Sequence, residues 1–561
     1  MKTIHLICIS IVLIFWSCTG TNSENAQLSE ETGNNERPNI ILIMSDDMGY
    51  SDIGCYGGDV NTPNLDHMAN NGLRFTQFYN TARCCPTRAS LMTGLYPHQT
   101  GIGHMTNTPK DFEQHDLGVP QYRGFLNNTS VTLAEVLREA GYATLMAGKW
   151  HLGIRDTSKW PLQRGFDKFY GIIPGASNFF KPVHPRGITY MNDPVEVTDE
   201  NYYTTDAFTE YGIKFIEESQ QQNSEKPFFL YLAYTAPHWP LNAPTGDIEK
   251  YVGKYMEGWT ELRKKRFAKM KEMGLIDENW ELTPQDAREW DTLDEEKKKE
   301  MDLRRAIYSA MIDRMDQNIG KLVSYLETND LKDNTVIIFL NDNGACAEFS
   351  ELGSGPAEQL GTKEGYVLSY GRAWANASNT PYREYKHWVH EGGIATPFIV
   401  HWPNGIAGSR KGSLVRNYGF LPDIMATFID LAGAEYPQAY KGNAITPTAG
   451  KSLVPVLTDG DQKVHNEPVF WEHEGNKAVR LGKFKLVSKW DKERDTQWEL
   501  YDLEKDRTEM NNLAAEMPKK LDEMMAMYDA WAEKNNILPY DTVQYLTNLK
   551  KKKRKQAEKS L

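Results

Sequence analysis

Asn39-Ile40-Ile41-Leu42-Ile43-Met44, closed by Ser45-Asp46-Asp47, is a short apolar run that ends in a hydroxyl and two carboxylates. A run of this length bounded by turn residues reads as a buried strand. Residues 142–147, 228–234 and 335–340 have the same form, and helical stretches lie between, at 62–71, 131–140, 207–218 and 303–327. The last two helices lead into strands through short polar loops, as crossover units between parallel strands require. The pattern is that of an α/β fold with a large doubly wound sheet, parallel or mixed, flanked by helices. The residues just beyond each strand carry the chemistry. The second run leads into Gly148-Lys149-Trp150-His151, the third into Ala236-Pro237-His238 and the fourth into Asn341-Asp342-Asn343-Gly344. Open α/β sheets bind ligands at the carboxyl ends of their strands, so four strands deliver metal-type and cation-type side chains to one edge.

Beyond residue 460 the texture changes. Segments 469–471, 477–481, 484–488 and 498–501 alternate or pair like short antiparallel strands, and a helix is expected over 517–534. This suits a smaller C-terminal domain of antiparallel sheet plus helix, with no polar linker to hold it apart. Residues 247–300 are dense in Lys, Glu and Arg with interspersed Trp and Met, and read as a charged helical insertion. A solvated surface hairpin is the plainer form of it. The six consecutive basic residues 550–555 read as a frayed, solvated end.

Composition narrows the partners. The chain has 561 residues, 63 basic and 76 acidic, for a formal charge of −13, which weighs against a nucleic-acid partner. A negative protein that acts on a negative substrate must concentrate positive charge locally. At the N-terminus, Lys2 and His5 precede an apolar run at 6–16 that is short for a membrane span and reads as an export signal. Phe15-Trp16-Ser17-Cys18 then leads into a polar stretch at 19–36. This resembles a bacterial lipoprotein signal in which Cys18 becomes the lipidated first residue, with ordinary secretion and nearby cleavage as the alternative. Of six cysteines, Cys8 and Cys18 fall in the signal, and Cys55, Cys84, Cys85 and Cys346 remain. That is no disulfide framework for a chain this long, although Cys55 and Cys346 could bridge.

Cys84-Cys85-Pro86-Thr87-Arg88, continued by Ala-Ser-Leu-Met-Thr-Gly94, places a proline in the first turn of a helix that stops at the glycine. Cys84 thus sits at a helix N-terminus with Arg88 one turn in, a place suited to a small anion. Taken alone, Cys84 is equally a buried cysteine beside a helix cap. The stretch resembles the signature of the type I sulfatases of the alkaline phosphatase superfamily, arylsulfatase A-like bacterial sulfatases among them. Further along, Glu499-Leu500-Tyr501-Asp502-Leu503 and Asn512-Leu513-Ala514 resemble the C-terminal segment of that family, so the resemblance runs from about residue 38 to 514. It implies that a formylglycine-generating or sulfatase-maturing enzyme oxidises Cys84 to formylglycine (3-oxoalanine), whose hydrate attacks sulfur. Cys85 occupies a variable position of the motif and is expected to stay unmodified.

Asp46, Asp47, Asp342 and Asn343 offer three carboxylates and an amide oxygen at adjacent strand ends. Such hard oxygen donors favour Ca²⁺ or Mg²⁺ over zinc. The resemblance implies one divalent ion, generally Ca²⁺, held by these four and by the residue derived from Cys84. Sulfate ester hydrolysis also needs positive charge on the sulfuryl oxygens, for which Arg88, Lys149 and Lys386 are the candidates. Lys149 stands in Gly-Lys-Trp-His-Leu-Gly, and Lys386 in Lys-His-Trp-Val-His-Glu-Gly-Gly followed by Thr396-Pro397. Both contexts are similar to sulfatase motifs, whereas either lysine taken alone is more often a surface charge. His151 and His238 are the candidate proton carriers. By resemblance His151 assists collapse of the covalent sulfate hemiacetal, His238 donates to the leaving oxygen together with Lys386, and Asp342 is the base for the attacking hydroxyl. The other histidines read as structural or surface groups, except His104 and His387, which are candidates for substrate contact.

The implied organisation is an export signal (1–18), a polar linker (19–36), a catalytic α/β domain (37–459, with the insertion at 240–300), a C-terminal α+β subdomain (460–540) and a basic tail (541–561). The expected activity is sulfuric ester hydrolysis on a sulfated poly- or oligosaccharide, by an exported periplasmic or outer-membrane lipoprotein of the bacterial cell envelope. The alternatives are a phosphate-ester hydrolase of the same superfamily, disfavoured by the cysteine, and a non-catalytic sulfated-glycan-binding lipoprotein, which would need no nucleophile. Substrate choice is expected to rest on loops 102–125, 172–190 and 240–300, near His104, Arg123, His184 and Trp239.

Overall fold

The computed structural model describes residues 37–106, 115–460, 462–493 and 497–560. The N-terminal segment read as signal, Cys18 and linker lies outside the described residues. Ten strands form the main sheet in the order Ser413–Val415, Leu73–Phe75, Phe398–His401, Thr335–Asn341, Asn39–Ser45, Phe228–Ala233, Ala143–Lys149, Lys168–Ile172, Ile188–Tyr190 and Asp193–Val195. The four strands expected from sequence are its adjacent central members and pair in parallel. The sheet becomes mixed at Phe398–His401, which runs antiparallel to both its neighbours.

Because side chains alternate across a strand, Ile41 and Ile43 enter one core, and Ile40, Leu42 and Met44 the other. The first core is covered by helices Pro63–Asn70, Thr204–Gln222 and Glu295–Thr328, the second by Cys84–Thr93, Leu133–Glu139 and Pro422–Ala432. Leu133–Glu139 starts where a capping box dictates: Thr132 Oγ1 accepts from the Glu135 N–H and Glu135 Oε2 from the Thr132 N–H, both at 3.0 Å.

The C-terminal sheet is an antiparallel meander of Val469–His473, Asn476–Leu481, Phe484–Ser488 and Trp498–Asp502. Helix Pro518–Lys534 lays Met524, Tyr528 and Trp531 against Val479, Leu486 and Leu500. The opposite face meets the large domain. There the Trp471 indole donates to the Asn80 carbonyl at 2.9 Å, and Glu391 takes Lys485 at 2.9 Å and Arg507 at 2.6 Å. Burial pushes the Glu391 carboxyl up, but Lys485 and then Arg507 outweigh it and hold it at about 2. A depressed carboxyl contributes its stability in full above the unfolded value of about 4.3, and loses it as pH falls toward 2. We expect acid below about pH 4 to loosen this interface, with up to about 3 kcal/mol at stake. Hydrogen exchange across residues 469–502 at pH 5 and pH 3 checks it, and Glu391→Gln should be destabilised but lack that part of the pH dependence.

Three expectations are corrected. The insertion is not a solvated hairpin: in helix Gly258–Glu272, Arg266 is buried and pairs with Asp52 and Asp59, while Trp259 packs edge-on against Trp290 and Trp374 at 4.8 and 5.4 Å. Its charges mask an aromatic anchor. The basic tail is not a frayed end, because residues Tyr540–Ser560 form one helix. Val543 and Leu546 anchor it against Leu117 and Tyr122, and the basic run forms its last turns. Cys55 and Cys346 do not bridge, and all four described cysteines are free thiols.

Candidate active site

Strands Asn39–Ser45 and Thr335–Asn341 pair in parallel with Ser45 opposite Asn341. The residues next in sequence, Asp46-Asp47 and Asp342-Asn343, therefore emerge side by side, and all four are buried. The Asp47 N–H donates to Asp342 Oδ1 at 3.2 Å and Asn343 Nδ2 to Asp47 Oδ1 at 2.7 Å. Asp47 makes this turn in a left-handed conformation, φ 65°.

Each carboxylate has a cation facing it. Lys149 Nζ lies 2.7 Å from Asp46 Oδ2, Arg88 Nη2 2.9 Å from Asp342 Oδ2, and Lys386 Nζ 2.9 Å from Asp47 Oδ2. His238 Nε2 lies 3.3 Å from the same Asp47 oxygen. Three buried negative and three buried positive charges compensate one another, which buried ions require. The Asp46 carboxyl is nevertheless pushed well up, by burial and then by the Asp342 charge, whereas the Asp342 carboxyl is lowered because Arg88 and Lys149 outweigh its burial.

Among the described residues, two oxygens in this cluster have no hydrogen-bond partner, Asp46 Oδ1 and Asn343 Oδ1. Buried polar atoms are ordinarily satisfied, so these mark a place for a ligand the protein chain does not itself supply. Asp46, Asp47, Cys84 and His238 each offer one donor atom there, all within 4.8 Å of one another. Unpaired hard oxygens among crowded carboxylates fit an oxygen-loving divalent cation.

Cys84 is the first residue of helix Cys84–Thr93, which ends at Gly94 with φ 69°. Burial pushes its thiol well above the usual range although Lys149 and Lys386 oppose this. Cys84 as it stands is therefore a neutral thiol, not an activated thiolate. Cys85 belongs to a different environment. Its sulfur accepts from the Thr106 N–H at 3.3 Å and packs in the core beside Met105.

His151 adopts φ 61° and its Nε2 lies 2.9 Å from the Thr106 carbonyl oxygen. A carbonyl only accepts, so Nε2 carries the proton and Nδ1, buried and without a partner among the described residues, carries the lone pair. Burial and then the Lys149 charge drive its pKa far down and keep the ring neutral. His238 donates from Nδ1 to the Trp239 carbonyl at 2.5 Å, which leaves Nε2 directed at the cluster. Burial lowers it to about 4 against the attraction of Asp47.

The two substrate-contact candidates have other partners. His104 is buried against His115 and Tyr122. His387 adopts φ 97° and places Nδ1 3.4 Å from Glu474 Oε2. Arg123 is engaged bidentately by Asp116. Several neighbours escaped the sequence reading. Glu348 takes Arg83 at 2.7 Å, Lys386 at 3.5 Å and the Trp239 indole at 2.9 Å, from a loop whose composition gives no signal. The Tyr231 hydroxyl accepts from Arg88 at 3.4 Å. A tyrosine in an otherwise apolar buried strand was the available clue, since its hydroxyl needs a partner.

A mixed α/β sheet that gathers carboxylates, cations and imidazoles at its carboxyl edge around a buried cysteine defines a class, the hydrolases of the alkaline phosphatase superfamily. Residues 38–434 match the sulfatase family, and residues 383–532 match the family described as N-sulphoglucosamine sulphohydrolase, C-terminal. The chain belongs to the sulfatase family, and its class of activity is the hydrolysis of sulfuric esters. An uncharacterized sulfatase of Schizosaccharomyces pombe is 35% identical over 520 residues, covering 87% of this chain and 92% of its own. The arylsulfatase of Klebsiella aerogenes is 34% identical over 437 residues, 74% of this chain and 91% of its own. Among solved structures, Ps i-CgsB in complex with k-i-k-neocarrahexaose superposes with a TM-score of 0.66 at 25% identity, over 92% of this chain and 98% of the other.

Proposed function

We propose that the chain removes sulfate from a sulfated carbohydrate, using a formylglycine derived from Cys84 and one divalent cation, Ca²⁺, held by Asp46, Asp47, Asp342 and Asn343. The observation that carries this reading is the buried Cys84 thiol beside two unpaired oxygens, in a cluster already balanced by Arg88, Lys149 and Lys386. The cation, when bound, supplies Lewis-acid polarisation of the sulfuryl group. Formylglycine supplies the hydroxyl nucleophile that a neutral thiol does not. Arg88, Lys149 and Lys386 bear on the sulfuryl oxygens, held in place by the carboxylates they pair with. Asp342, kept ionised by Arg88, receives the proton of the attacking hydroxyl. His151 accepts a proton at Nδ1 in the later step that frees sulfate. His238 can deliver one from Nε2 to the leaving oxygen only as the imidazolium, with Nδ1–H held by the Trp239 carbonyl and Nε2–H facing Asp47.

The carbohydrate reading draws on one neighbour, the neocarrahexaose complex at 25% identity. Export agrees with it, because sulfated polymers are met outside the cell. We infer a periplasmic or outer-membrane protein anchored through Cys18. Globomycin-sensitive processing and loss of labelled fatty acid in Cys18→Ala test that anchor.

The decisive test of function is a mass spectrum of the tryptic peptide carrying position 84, where an unmodified thiol in active enzyme would refute the nucleophile. The leaving-group role has its own test. His238→Ala should depress kcat/KM for a sugar sulfate by ~10²–10⁴-fold more than for 4-nitrophenyl sulfate, because a sugar alkoxide needs the proton and a nitrophenolate hardly does. Uniform loss on both would move His238 from proton donor to sulfate binding.

A further inference from the structure

A cavity of about 1000 Å³ opens between loop 154–160, the segment 173–197 and the end of the C-terminal helix. Among the described residues its charged lining is one-sided. Arg155, Lys181, His184 and Arg554 face it with Glu196 as the acidic residue, and Trp160 offers a half-buried indole. In a chain of net charge −13, a basic concavity of this size is a local inversion of the overall field. One wall of it backs directly onto His151 of the active site. Ile173, which lines the cavity, accepts the His151 backbone N–H at 3.0 Å, and Gly175 packs so closely on the His151 ring that a Cβ there would meet it at 2.5 Å. Arg186, on the loop between, lies over the exposed Tyr366 ring at 5.7 Å and donates to the Ala176 carbonyl at 3.1 Å.

We propose that this cavity is a second anionic-sugar subsite, so that the enzyme takes an oligosaccharide carrying two or more sulfates, one reacting at Cys84 and another seated among Lys181, His184 and Arg554. This deepens the sulfated-carbohydrate reading and rests on it. The volume suits a sugar ring with its charged substituent, which pockets of roughly 300–1,000 Å³ ordinarily enclose. Trp160 provides an apolar body against which a ring face packs, and the cations provide the charge-assisted hydrogen bonds that a sulfate accepts. Arg554 gives the basic end of the C-terminal helix a purpose. It brings a wall from the far end of the chain, so the subsite is assembled only when that helix docks.

The test uses full-length matured enzyme, 4-nitrophenyl sulfate, and tetrasaccharides of heparin, chondroitin sulfate and carrageenan, taking forward the one turned over best. Lys181→Glu, on an exposed loop position, and Arg554→Glu should each raise KM for that tetrasaccharide about threefold to tenfold with kcat little changed. Neither should alter kcat/KM for 4-nitrophenyl sulfate, and molar salt should erase the difference from wild type. Unchanged KM for the tetrasaccharide in both variants overturns the subsite, as does equal loss on both substrates. If wild type cleaves 4-nitrophenyl sulfate but no tetrasaccharide, the failure falls on the carbohydrate reading. Calorimetry with the heparin tetrasaccharide then decides the cavity, and equal affinity of wild type and Arg554→Glu overturns it.

Discussion

Cys84→Ala is expected to fold as wild type does and to lose sulfatase turnover by roughly 10⁵–10⁶-fold, the scale on which removing a covalent nucleophile acts. The cost in stability should be small, because the substitution removes one buried sulfur and leaves helix Cys84–Thr93 with a better helix former. Cys85→Ser is the matched control. Its sulfur already accepts two hydrogen bonds from Thr106, which a hydroxyl can also accept, so activity should persist with a modest loss of stability. Thermal melts and steady-state kinetics on both variants, with mass spectra of the position-84 peptide, distinguish the two sulfurs. Comparable turnover in Cys84→Ala and wild type would refute Cys84 as the source of the nucleophile, and equal loss in both folded variants would undo the distinction between them.

Asp342→Asn is expected to lower kcat/KM by about 10³-fold or more, on the scale of losing a pre-organised charge, and to lower the divalent-ion content of purified protein. Asp342→Ala should do the same and also destabilise by about 3–5 kcal/mol, because it leaves the buried Arg88 guanidinium without its 2.9 Å partner. The asparagine variant keeps a polar group against Arg88 and separates loss of function from loss of fold. Chelation of wild type should reproduce the kinetic loss, and added Ca²⁺ should restore wild type but not Asp342→Asn. An Asp342→Asn enzyme that retains its ion and its turnover would remove Asp342 from the ion site.

The central strands were legible in the sequence because a strand buried on both faces must be apolar throughout, and Asn39–Ser45 is covered by a core on each side. Their charged endings stood out for the same reason: nothing polar precedes them. Strands toward the sheet's margin carried no such mark. Leu73–Phe75 has three residues, and the antiparallel insertion of Phe398–His401 arises from long-range pairing that no local pattern encodes. The helix of the insertion was legible, but its packing was not: Lys and Glu dominate its composition while Trp259, Trp290 and Arg266 do the packing. The tail misled because six basic residues hide that Val543 and Leu546, one turn apart, already fix a helix. At the site, residues that end strands could be named in advance. Glu348 and Arg83, which meet across 265 positions of sequence, could not.

The burial of Cys84 has a consequence in time. In the folded protein its sulfur lies inside a packed helix, wholly shielded from solvent and capped by lysines already committed to carboxylates. An enzyme that modifies Cys84 must reach its sulfur, and in the folded protein that sulfur is fully buried. The proposed conversion therefore belongs to the nascent or translocating chain, before residues 84–94 coil and dock. On that reading, a molecule that folds before conversion keeps its thiol, and the converted fraction of a purified population is set by a race between folding and modification.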